Sequence, residues 1–337
     1  MSRSAIFLRG LALVVSIVAV GCASTRSRSV DRSRLSNDHS RPQPTPASPT
    51  PPAPPLIPPL PPTLPAPAAT APVHKEIDVI YGTGGGEQLK LDLYAPKDRP
   101  GPFPAVVVIH GGGWANGTKG FLGGITHAFA ERGYVAVTVE YRLAPKHKFP
   151  AQLQDVKCAV RWLRANAQRY QIDPDRIGAL GFSSGAHLAL LLGLTEPKDG
   201  FEGEGGHLEQ SSKVQVVVNM MGPTDLSRPA WPAVTDKLIA DLLGGGREQI
   251  PSVYRAASPL AYVHRGAPPV LTMHGTKDAI VPFEQAKLLH ASLRSVRGIS
   301  RLEPVKDKGH GEDWSREELL RGLGLIGEFM DKYLKPR

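Results

Sequence analysis

The sequence predicts an α/β fold: a mainly parallel central sheet with helices on both faces, in one large domain. Three observations carry that expectation. Apolar, strand-like runs alternate with helical stretches through most of the chain. Residues 105–109 (AVVVI) form a continuous β-branched run, the mark of a strand covered on both sides. Residues 177–180 (IGAL) lead through Gly181-Phe182-Ser183-Ser184-Gly185 directly into an Ala/Leu-rich stretch, which reads as strand, sharp turn and helix.

Taken in order, the chain opens on a different kind of sequence. Arg3 and Arg9 precede a ten-residue apolar core, LALVVSIVAV, at 11–20, the pattern of an export signal and too short for a membrane span. Ala19-Val20-Gly21-Cys22 follows and resembles the cleavage box of bacterial lipoproteins, although Ala19 stands where Leu is usual. The expectation is a signal peptide over 1–22, lipidation at Cys22, and an exported protein tethered to a bacterial membrane. Cys158 is the one other cysteine, so with Cys22 lipidated no internal disulfide forms. Residues 23–74 read as a disordered linker. Positions 42–72 hold 15 of the 33 prolines and lack the donors and apolar bulk of a core. As an extended spacer they reach about 100 Å at ~3.1 Å per residue.

Charge follows the same division. Of the net +9, seven arginines against two aspartates lie before residue 75, leaving only +4 for the rest. Without a basic stripe interleaved with aromatics, nothing points to a nucleic-acid partner.

From 75 to 337 the composition is that of a domain large enough for a substantial core. Residues 77–81 and 89–94 read as opening strands joined by the Gly-rich 82–86; Leu89, Leu91 and Leu93 alternate with Lys90, Asp92 and Tyr94. Strands are expected at 105–109, 134–141, 177–180, 214–220, 269–273 and 301–305. Helices are expected at 121–132, from Pro150 to about 170, from 186, and at 319–334. In such sheets ligands bind beyond the carboxyl ends of the strands. The chemically suggestive residues all fall just there.

Ser183 is the candidate nucleophile, since a G-x-S-x-G turn between strand and helix exposes its hydroxyl above the sheet. Serine needs a base, and the base needs a carboxylate on its other ring nitrogen. His310, in Lys308-Gly309-His310-Gly311, is the expected base. Asp278, in the turn after 269–273, is the expected carboxylate, with Asp225 of Gly222-Pro223-Thr224-Asp225 as the rival. His187 lies inside the helix after the serine and reads as packing. His110 opens His110-Gly111-Gly112-Gly113-Trp114, whose bare glycines let backbone N–H groups approach a developing oxyanion. Gly112, Gly113 and Ser184 are the expected donors, His110 a brace, and Trp114 either a wall of the acyl side or a packing residue. A phosphate loop is excluded, because neither G-K-[ST] nor G-x-G-x-x-G accompanies these glycines.

HGGGW, YRLAP at 141–145, GFSSG, GPTDL, HGTKD and GHG together resemble the α/β-hydrolase superfamily, over about residues 76–335. The resemblance is greatest to the hormone-sensitive-lipase-like esterases and to the carbohydrate esterases that remove acetyl or feruloyl groups. It implies a two-step ester hydrolysis through an acyl-serine, without metal or organic cofactor, and the chain order Ser183, Asp278, His310 matches the family's triad. Lipase-like members often carry Asp-Ser-Ala-Gly-Gly at the nucleophile and a helical N-terminal cap. This chain has Phe182-Ser183-Ser184-Gly185-Ala186 and a short β lead-in, which favours the carbohydrate-esterase branch and a small-molecule or glycan ester. A serine peptidase on the same fold and a non-catalytic, surface-tethered binding protein are the alternatives. Residues 195–212 form a polar, Gly-rich insertion expected to shape the alcohol side.

Overall fold

The computed structural model describes residues 72–335. The expected signal peptide, Cys22 and nearly all of the 23–74 linker lie outside the described residues. Eight strands make one sheet in the order β1-β2-β4-β3-β5-β6-β7-β8. The strands are β1 (Val73–Gly84), β2 (Glu87–Pro96), β3 (Phe103–Ile109), β4 (Val135–Val139), β5 (Ile172–Phe182), β6 (Val216–Met220), β7 (Val270–Gly275) and β8 (Ser300–Val305). β1 and β2 pair antiparallel, and β2 joins β4 antiparallel; every pairing from β4 to β8 is parallel.

The β-branched run of β3 is buried throughout because it serves two cores. Ala105, Val107 and Ile109 pack on one face with α2 (Ala151–Ala165), α3 (Ser184–Leu194) and α5 (Glu284–Ser295). Val106 and Val108 pack on the other face with α1 (Gly123–Glu131) and α6 (Arg316–Leu334). Period-two alternation sends neighbours to opposite faces, so a strand covered twice must be apolar at each position. β2 departs from the expected one-sided burial. Asp92 is buried too, because the ammonium of Lys119 lies 3.2 Å from it and 2.8 Å from Asp78.

Several boundaries differ from the expected ones for local reasons. The long helix from Pro150 ends at Ala165; after Asn166 a separate turn, Ala167–Tyr170, runs to Gln171 in the left-handed region. The expected helix at 121–132 begins as a 3-10 turn, Lys119–Leu122. The last helix starts at Arg316 rather than 319. Ser315 Oγ accepts from Glu318 N while the Glu318 carboxylate accepts from Ser315 N, a capping box that satisfies two orphan donors. Three helices were not foreseen: α4 (Ala233–Leu243), the short helix Pro251–Ala256, and α5. Cys158 is a buried, free thiol on α2. The insertion after α3 is anchored on α2: the Glu202 carboxylate takes the ammonium of Lys157 and the guanidinium of Arg161, both at 2.9 Å, and Gly205 O accepts from Thr83 N of β1. These bonds tie it to α2 and the sheet edge, not to the serine.

Candidate active site

The turn from β5 into α3 forces a conformation that few residues adopt. Ser183 has φ 53° and ψ −121°, a strained region for a side chain with a Cβ. Its N–H donates to Met220 O of β6, and its carbonyl accepts from Ala186 N and His187 N. The flanking glycines permit the tight turn by sterics. A Cβ on Gly181 would run into the Gly185 carbonyl, and one on Gly185 into the carbonyl oxygens of Ile109 and His110.

The expected base and carboxylate, His310 and Asp278, lie on the loops after β8 and β7. His310 Nε2 lies 2.8 Å from Ser183 Oγ, and His310 Nδ1 lies 2.6 Å from Asp278 Oδ2. Nδ1–H donates to the carboxylate, so Nε2 is left to accept from the serine hydroxyl. Asp278 Oδ1 accepts from Ile280 N at 2.9 Å and Val281 N at 2.8 Å. Burial pushes the Asp278 carboxyl up, but hydrogen bonds from His274 and His310 outweigh it and hold the group well below the usual carboxylate range. The rival Asp225 faces elsewhere; its carboxylate takes Ser227 N and Oγ.

The two loops are laced together. Lys277 N donates to Lys308 O, Asp307 N to Thr276 Oγ1, and the Asp313 carboxylate holds Gly309 N next to the imidazole. Trp314 Nε1 donates to Gly309 O from beneath.

The glycine loop after β3 lies against the turn. A Cβ on Gly111 would sit 2.9 Å from Phe182 O and 3.1 Å from Ser183 Cβ, so bare backbone is required there. Gly112 and Gly113 follow with φ 125° and 61°. Among the described residues no protein acceptor takes the N–H of either. Ser184 N–H, at the first position of α3, has no intrahelical partner either. Leu238 of α4 packs on Gly113, its Cδ1 2.7 Å from where a Cβ would be. Sequence reasoning missed both the closeness of Gly111 and this leucine; nothing in the letters of α4 signals it.

His110 and His187 brace this loop. His110 Nδ1 lies 2.8 Å from Gly111 O, its ring stacks on Tyr141 at 4.4 Å, and Tyr141 Oη donates to His110 O. His187 Nε2 donates to Ala257 O at 2.7 Å, leaving Nδ1 to accept from Trp114 Nε1 at 3.2 Å. Burial lowers both imidazoles to about 4, against the weaker pull of their backbone hydrogen bonds, so both are neutral. Of its two expected places, Trp114 takes the packing one and not the acyl wall. With φ 58° it turns inward, is 1 % exposed and packs in the core with its indole committed to His187.

A mainly parallel sheet with a part-buried serine at a strand-to-helix elbow, and an aspartate and a histidine on later loops hydrogen-bonded in line to it, is the architecture of the α/β hydrolases. Within that class the chain belongs to the BD-FAE family, whose model matches residues 91–293. It is 34 % identical over 242 residues to esterase LipC of Mycobacterium tuberculosis, covering 70 % of this chain and 59 % of LipC. It is 33 % identical over 224 residues to esterase LipQ of the same organism, covering 64 % and 52 %. The chain thus spans little more than half the length of these curated relatives. Among solved structures it superposes on a truncated carbohydrate esterase from gut microbiota with TM-score 0.71 and 26 % identity, over 80 % of this chain and 99 % of the other. It superposes on the Est2 esterase of Thermogutta terrifontis, bound to propionate, with TM-score 0.65 and 27 % identity, over 80 % and 97 %.

Proposed function

We propose that the protein is a serine carboxylesterase that hydrolyses short-acyl esters, acetyl or feruloyl esters of carbohydrates among them. The observation that carries this reading is the line Ser183 Oγ, His310 Nε2, His310 Nδ1, Asp278 Oδ2, with steps of 2.8 and 2.6 Å at its two hydrogen bonds. In the proposed reaction Ser183 Oγ attacks the ester carbonyl while its proton passes to His310 Nε2. The carbonyl oxygen becomes an oxyanion that accepts from Gly112, Gly113 and Ser184 N–H; one such donor is worth about 3 kcal/mol in the transition state. The C–O bond to the alcohol breaks as His310 returns the proton to the leaving oxygen. Water then repeats the sequence on the acyl-serine, and the acid leaves. Asp278 stays ionised and steadies the imidazolium.

The short-acyl part of the reading is supported by propionate and butyrate bound to the Thermogutta terrifontis relative, and by Leu238 crowding the glycine loop. The carbohydrate part is supported by two carbohydrate-esterase neighbours, one of them fused in a bifunctional GH43-CE protein of Bacteroides eggerthii. In this reading residues 1–22 direct export, Cys22 carries the lipid anchor, 23–74 space the enzyme from the membrane and 75–337 form the catalytic domain. Mass spectrometry of the mature N-terminus decides the anchor: a diacylglyceryl cysteine supports it, and an unmodified start after residue 22 overturns it.

For the chemistry, the full chain is expected to cleave short p-nitrophenyl esters and acetylated xylo-oligosaccharides. Ser183→Ala lowers turnover on the order of 10⁶-fold. Near-normal turnover by that variant would sink the assignment.

A further inference from the structure

Asp278 does not serve His310 alone. His274, next to last in β7, is wholly buried, and its Nε2 lies 3.1 Å from the same Oδ2 that His310 reaches at 2.6 Å. That Nε2 is also 2.8 Å from Val281 O. A carbonyl only accepts, so Nε2 carries the proton; Nδ1, buried without a partner, is bare. That N–H donates to Val281 O and at the same time lies against Asp278 Oδ2 at 3.1 Å. Asp278 therefore accepts three N–H groups, two backbone amides on Oδ1 and His310 Nδ1 on Oδ2, with the polarised His274 Nε2–H as a fourth positive neighbour beside Oδ2.

We propose that His274 is a positioning residue for the reaction: its Nε2–H fixes Asp278 Oδ2 on the line to His310 without exchanging a proton during turnover. The inference rests on the reading of Ser183, His310 and Asp278 as the reacting set. The two amides on Oδ1 come from the aspartate's own turn and leave the Oδ2 side to be fixed from elsewhere. His274 supplies that from the sheet, its own ring held edge-on by Phe283 at 5.8 Å. Other charges on the two adjoining loops are engaged elsewhere: Lys277 pairs with Asp307 in an exposed bridge, Lys308 with Glu318 of α6, and the Asp313 carboxylate accepts from Gly309 N. His274 and His310 are thus the titratable groups that face the carboxylate.

The test uses His274→Leu and His274→Gln in the full chain, with active sites counted by a fluorophosphonate that modifies Ser183. Turnover per counted site is expected to fall roughly 10- to 100-fold in His274→Leu with KM little changed, the loss of one polarised N–H beside a charged group. The amide N–H of His274→Gln, close to the place of Nε2, is expected to restore most of it. Wild-type turnover per site in His274→Leu overturns the proposal, as does equal impairment of the two variants, which marks mere packing. Should His274→Leu not fold, ¹⁵N NMR of the wild-type imidazoles decides: an Nε2–H tautomer at His274 supports the assignment, an Nδ1–H tautomer defeats it. Activity surviving Ser183→Ala would instead remove the reading beneath, a result these measurements keep separate.

Discussion

The two sides of the site are built by different means. On the elbow side, β3, β5 and α3 approach so closely that Gly111, Gly181 and Gly185 have carbonyl oxygens where a side chain would stand. Backbone sterics fix that side. On the acid–base side, Asp278 and His310 come from loops 32 residues apart in sequence and are placed by side-chain hydrogen bonds to amides and to each other, with His274 3.1 Å from the carboxylate. The difference teaches where damage separates from function. A change on the second side should remove chemistry and spare the fold; a change on the first should remove both.

The sharpest form of that contrast starts with Asp278→Asn. The residue is the same size, and the amides of Ile280 and Val281 can still reach its carbonyl oxygen. His310 loses the acceptor for Nδ1–H and with it the correct tautomer. Turnover is expected to fall on the order of 10⁴-fold. The protein should still fold cooperatively, with a melting temperature lowered only by the loss of the carboxylate's charge, measured on the same preparation. Loss of folding together with activity would erase the distinction between the two sides.

Gly185→Ala probes the other side with a single methyl. The Cβ meets the carbonyls of Ile109 and His110, which cannot rotate away as a side chain could. Separating β3 from α3 moves the glycine loop and the serine together. Stability is expected to drop by about 3 kcal/mol or more. Turnover per molecule should fall by at least ~10²-fold, the effect of about 1 Å of misplacement. Melting curves and fluorophosphonate labelling read the two losses. A stable Gly185→Ala protein with normal labelling would show that the elbow is looser than its packing implies.

The same contrast governs what could be read before any coordinates. The elbow is local: the five letters Gly181 to Gly185, with an apolar strand before and Ala/Leu after, specify strand, turn and helix. The alternating faces of β3 and the parallel order of the sheet were legible for the same reason. The acid–base side was legible in its residues, Asp278 and His310, but not in its support. The double imidazole on Asp278 depends on His274 ending a buried strand four residues away, which pattern alone does not orient. Of the two readings of Trp114, its burial in the core, at φ 58°, favours packing, and no letter of the sequence decides between them. The start of α6 stands in the letters, since Ser315 and Glu318 spell a capping box, although the apolar pattern alone placed it at 319; α4 has the spacing of Leu238, Ile239, Leu242 and Leu243 but no capping side chain to mark its start.

The smallest of the expected effects separates the buried histidine braces from Asp278 by pH. His110 and His187 hold the glycine loop as neutral rings, lowered to about 4 by burial, while an unfolded chain has them near 6.5. Their contribution is therefore complete above about pH 6.5 and is lost as pH falls toward 4, because the unfolded chain takes up the protons first. Each is worth about 3 kcal/mol across that window, as an order of magnitude. Asp278, whose carboxyl is depressed, contributes above about pH 4 and fades only at lower pH, so the windows do not overlap. Thermal melting at pH 7.5 and pH 5 should show a pronounced loss in the wild type. His187→Gln removes one titrating ring, so its melting temperature should be lower at pH 7.5 but fall by only about half as much on acidification, with His110 carrying the rest. An unchanged slope in that variant would mean that His187 is charged or hydrated in the native state, and that the loop beside the serine is held by something other than a dry, neutral imidazole.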